Sequence, residues 1–97
     1  MSTDLILYKK NYDDGKLYNM PSTDVRSLYS ASQDEILKAY FNYVEELLLS
    51  EEQENVKNEP NNLYHKQNLE FQKEILDKHK KTVIMLMSQG YTFIIDG

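Results

Sequence analysis

The sequence predicts an α+β fold: a small antiparallel sheet packed with a long antiparallel helical hairpin, in the order β-β-(short α)-α-α-β. Three observations carry this. An Asp14-Gly15 pair stands between two β-prone runs, two long stretches carry apolar residues at helical spacing, and a β-prone run follows Gly90. At 97 residues the chain has the size of one domain, so residues 1–97 are read as a single unit.

Residues 4–20 read as a β-hairpin. Leu5-Ile6-Leu7-Tyr8 is β-prone, Asp-Gly supplies the positive φ angles of a tight turn, and Lys16-Leu17-Tyr18-Asn19-Met20 returns as a second strand stopped by Pro21. A two-residue loop sets Asp13 opposite Lys16 and puts Leu5 and Leu7 on one face with Tyr18 and Met20. Residues 22–31 fit either a short helical turn begun at Ser22-Thr23-Asp24 or a loop.

Two helices follow. Ser32-Gln33-Asp34-Glu35 fits a capping box, opening a helix over 33–54 with the stripe Ile36, Leu37, Tyr40, Phe41, Val44, Leu47 and Leu48. Pro60 and its neighbouring asparagines break the chain. A second helix over 62–89 carries Leu69, Leu76, His79, Val83, Leu86 and Met87, widened by Phe71, Ile75 and Ile84, and Gly90 suits a left-handed cap. Glu74 with Lys78 and Asp77 with Lys81 are set as (i, i+4) ion pairs. Tyr91–Ile95 reads as the last strand. Helices of this length, roughly 30–40 Å, outreach strands of about 17 Å, so part of the hairpin is expected to project.

Composition narrows the chemistry. Cysteine is absent, which removes disulfides, thiolate nucleophiles and Cys-based metal sites. His65 and His79, about 21 Å apart along one helix, cannot share a metal, and neither has a ligand type three or four residues away. They read as one histidine in or beside the core and one at the surface. The three glycines leave no phosphate-cradling motif, and no nucleophile elbow is present. No catalytic residue, metal ligand or cofactor is therefore expected. The longest apolar run, Val83–Met87, is far too short to span a bilayer, and the basic residues near the N-terminus follow its apolar run rather than precede it. With the lack of cysteine, this points to the cytoplasm. Lys78, Lys80 and Lys81 form the one basic cluster, but they spread around a helix in a chain of net charge −5, so direct nucleic-acid binding is not expected.

Charge and tyrosine are unevenly placed. Residues 45–59 hold Glu45, Glu46, Glu51, Glu52, Glu54 and Glu59 against Lys57, a net −5 that equals the whole chain's. Six of the eight tyrosines lie within the first 43 residues. Carboxylates near a helix C-terminus oppose its dipole, so their cluster has no local benefit. The candidate partner-binding residues are Glu45, Glu46, Leu49, Glu51, Glu52 and Glu54 with Tyr40 and Tyr43, an apolar step rimmed by acid that suits a basic or normally nucleic-acid-binding protein surface. A charged hairpin tip serving only solubility explains the same residues. Compact, acidic, cysteine-free chains rich in tyrosine are similar in style to phage and mobile-element accessory proteins, many of which inhibit a host protein. The resemblance is compositional and transfers no residue. The functional expectation is a non-enzymatic protein-binding module. The alternative is a self-associating assembly subunit that uses the helix stripes and β-prone ends.

Overall fold

A computed structural model describes residues 2–10 and 17–97. Its elements are β1 (Asp4–Tyr8), α1 (Ser22–Arg26), α2 (Gln33–Asn58), α3 (Leu63–Ser88) and β2 (Thr92–Asp96). β1 and β2 form a two-stranded antiparallel sheet, with Leu5 opposite Ile95 and Leu7 opposite Phe93. Strand alternation turns Leu5, Leu7 and Phe93 into the core and Ile94 outward. The sheet rests against one end of the α2–α3 hairpin, the α+β arrangement the sequence predicts.

Among the described residues the expected return strand is not formed. The Asp14-Gly15 turn and the Asp13–Lys16 pair lie outside the described residues, and residues 17–20 are not strand. The partner of β1 is β2 instead. The 17–20 segment finds other bonds: the Tyr18 N–H donates to the Tyr40 hydroxyl at 2.9 Å, and the Asn19 carbonyl accepts from the Tyr43 hydroxyl at 2.7 Å. Leu17, Tyr18 and Met20 pack on the core as side chains rather than as a ladder.

Both long helices begin on side-chain caps, and α3 ends on a glycine. The Ser32 hydroxyl accepts from the Glu35 N–H at 3.2 Å and donates to the Glu35 carboxylate at 3.1 Å. Asn62 caps α3 by accepting from the Tyr64 N–H at 3.0 Å. At the far end Gly90, at φ +98°, closes a Schellman motif. Its N–H reaches the Met87 carbonyl, and the Tyr91 N–H reaches that of Leu86, both at 3.1 Å. The Lys9 ammonium adds a 2.6 Å bond to the Gln89 carbonyl. Of the two expected (i, i+4) pairs, Asp77–Lys81 is closed at 3.0 Å, whereas Glu74–Lys78 is not among the ion pairs of the described residues.

The core gathers Leu5, Leu7 and Phe93 from the sheet, Val25 from α1, Ile36, Tyr40, Val44 and Leu49 from α2, and Leu76 and Val83 from α3. Each long helix spans 26 residues, about 39 Å, so the end away from the sheet projects as expected. The molecule measures 49 × 27 × 21 Å, with a radius of gyration of 15.5 Å against about 12.5 Å for a compact chain of this length. Along the projection the α2 stripe differs from the expected one. Near the sheet the helix is covered from two sides; beyond it only α3 remains, and the buried face swings round. Leu47 is therefore half exposed while Leu49 is buried. On α3, Phe71 and Ile84 lie outside the buried stripe that was expected to include them.

Candidate functional site

The short helix α1 lies beside α2 and leaves a shallow groove between them. One end is a depression of about 280 Å³ lined by Met20, Asp24, Leu28 and Tyr43, among others. The other is a depression of about 360 Å³ lined by Asp24, Tyr43, Glu46, Leu47 and Ser50. Residues three, four and seven apart on a helix share a face, which is why Tyr43, Glu46, Leu47 and Ser50 line one wall. The same spacing carries that face on to Glu51 and Glu54, both exposed. Asp24 faces it from α1, so the groove is acidic on both sides of an exposed leucine. Tyr43 is anchored there by its bond to the Asn19 carbonyl.

The eight candidate residues therefore separate. Glu46, Glu51, Glu54 and Tyr43 belong to this face. Glu45, two positions from Tyr43 and about 200° around the helix, is exposed on the opposite flank. Tyr40 and Leu49 are core residues at 0% and 4% exposure, so neither is available to a partner. Glu52 is also buried, the one buried acidic residue among those described. Leu47, counted as core in the sequence, is the apolar centre of the exposed face.

Glu52 is buried with partners from both long helices, Asn55 of α2 and His65 and Asn68 of α3. Its carboxylate accepts from the Asn55 carboxamide at 2.6 Å and lies 3.2 Å from His65 Nδ1, while His65 Nε2 lies 3.2 Å from Glu59. Both imidazole contacts are hydrogen bonds only when both ring nitrogens carry a proton. Hydrogen bonding from Asn55 first, and from Asn68 and His65 after it, holds the Glu52 carboxyl below its ordinary 4.5 against the opposing effect of burial. The cluster ties the distal end of α2 and the connection to α3. His65, expected at the surface, is in fact half-buried in it. Among the described residues no group of three or more His, Asp or Glu side chains is arranged to hold a metal ion.

A second polar contact joins the helices nearer the sheet. The Tyr40 hydroxyl lies 2.6 Å from His79 Nε2 and accepts from the Tyr18 N–H. When the phenol donates its single proton to Nε2, the imidazole proton is left on Nδ1. Burial pushes the Tyr40 hydroxyl up to about 12 and pushes His79 below its ordinary 6.5. Neutral tyrosine and neutral histidine are the forms this contact needs. Helical periodicity alone misses it, but a simple signal was available. Tyr40 and His79 stand 20 and 19 residues either side of Pro60, so a symmetric hairpin turns them towards each other.

The basic cluster is dispersed, as the spacing implied. The Lys80 ammonium sits 5.6 Å from the Phe41 ring centroid, Lys81 pairs with Asp77, and Lys78 is exposed elsewhere on the helix. No helix of the described residues is long and apolar enough to cross a membrane. Comparison with known proteins finds no match to this chain among family models, curated proteins or solved structures.

Proposed function

We propose that this chain is a non-enzymatic protein-binding module that docks a basic partner surface on the α1–α2 face, and that it acts as an inhibitor by covering that surface. The observation that carries the reading is Leu47, 50% exposed and framed by Asp24, Glu46 and Tyr43, with Glu51 and Glu54 on the same helix face. A leucine ringed by carboxylates gains most from a partner that brings an apolar contact inside a ring of lysine or arginine. Nucleic-acid-binding surfaces have that charge, which makes a protein of that kind the preferred partner. The interaction is expected to associate quickly at low salt and more slowly as salt screens the charges.

The test is a charge reversal that spares the buried Glu52. Glu46→Lys, Glu51→Lys and Glu54→Lys are combined in one variant, whose helix content and thermal melting are first matched to the parent. Both proteins are then used as bait in an extract of the native host, and each captured protein is titrated against both forms. A partner held by the parent and released by the variant supports the proposal. Equal binding to both forms removes this face as the site.

A further inference from the structure

The outer side of α3 carries a second heptad line, distinct from the buried one. Tyr64, Phe71, Lys78 and Met85 recur every seven residues, with Glu74 in the intervening position. All are exposed, Tyr64 at 68% and Phe71 at 57%, and a depression of about 360 Å³ opens beside Phe71. This line does not belong to the groove between α1 and α2.

We propose that this face of α3 pairs antiparallel with the same face of a second copy, giving a two-fold symmetric dimer. The charge pattern selects that occupant. Glu74 and Lys78 lie equally far either side of position 76, so an antiparallel twofold through that point sets each Glu74 opposite the other copy's Lys78, twice per interface. Neither residue has an ion-pair partner within its own chain among the described residues, although their spacing permits one. The same register brings Phe71 within about one helical turn of the second copy's Met85, a ring-to-thioether contact. A chain of net charge −5 repels itself over most of its surface, and this acid-and-base-balanced stripe lets two copies approach. The projecting half of the hairpin, covered by a single neighbour in the monomer, then becomes part of a four-helix arrangement.

Sedimentation velocity from about 1 μM to about 0.5 mM reads the association directly. The parent is expected to shift from monomer to dimer within that range. Glu74→Lys and Lys78→Glu, each of which sets two like-charged pairs across the twofold, are each expected to weaken the dimer at least tenfold. Combining the two restores opposite charges and is expected to restore the dimer, a recovery that a merely misfolded variant cannot give. Circular dichroism confirms that all four proteins keep their helices. A parent that stays monomeric throughout overturns the proposal, whatever else binds this face. So does a dimer that neither single reversal weakens, or a double variant no tighter than the single ones.

Discussion

The carboxamide of Gln33 bonds both backbone polar groups of Phe93: its nitrogen donates to the carbonyl at 3.0 Å, and its oxygen accepts from the N–H at 2.7 Å. A side chain thus stands where a third strand would pair, and it closes that position of the open edge of β2. Edge strands otherwise offer such groups to another chain. The first residue of α2 therefore fastens the helix to the sheet and blocks unwanted pairing at once.

Gln33→Ala is expected to lose about 1–3 kcal/mol in urea unfolding, because two buried backbone groups lose their partners. Hydrogen exchange at the Phe93 amide is expected to accelerate well beyond that of its neighbours. An unchanged exchange rate at Phe93 would show that the clasp does not hold in solution.

The Tyr40–His79 contact gives stability a dependence on pH near neutrality. Burial lowers the pKa of His79, so the unfolded chain binds a proton that the folded one resists. The stabilisation is complete above about 6.5 and is lost as pH falls through the lower folded value. Chemical denaturation from pH 8 to pH 5 is expected to trace that fall, and His79→Gln, which cannot titrate, is expected to flatten it. Nitrogen chemical shifts at pH 8 should report the Nδ1–H tautomer.

Glu52 acts in a more acid window with the same sign. Its carboxyl is held below 4.5, so its contribution is present above that value and is lost as pH falls through the lower folded value. Glu52→Gln is expected to be less stable than the parent at neutral pH and to lose less of what remains on acidification. Parallel curves for the two proteins below pH 4.5 would refute the assignment.

Leu47 and Leu49, two positions apart and about 200° around one helix, separate surface from core. Leu49→Ala opens a cavity against α3 and is expected to lose about 2–4 kcal/mol. Leu47→Ala, on the exposed face, is expected to stay within about 0.5 kcal/mol while weakening partner binding. Equal destabilisation by the two would contradict the swing of the buried face along α2.

What the sequence made legible is what local chemistry decides. The start of α2 follows from Ser32 and Glu35, and the end of α3 follows from Gly90, since each cap closes within a few residues. The partner of β1 was misread because Asp14-Gly15 offers a near neighbour, whereas β2 lies far along the chain. Leu49 and Glu52 read as surface residues in the sequence for a related reason. Helical spacing describes one helix at a time and does not register where a second helix takes over from the sheet. The face of Tyr43, Glu46, Glu51 and Glu54 was legible only as part of a longer acidic run, and it is the exposed Leu47 and Ser50 between them that link these residues by three- and four-residue steps. Asp24 joins it only through the packing of α1.

The pairing of Leu7 with Phe93 also fixes an order of events during synthesis. At 5–20 residues per second, a ribosome needs roughly 4 to 17 seconds to travel from one to the other. Leu5 and Leu7 pass that interval without the strand that covers them, so the nascent chain offers them to a chaperone before it can offer them to itself.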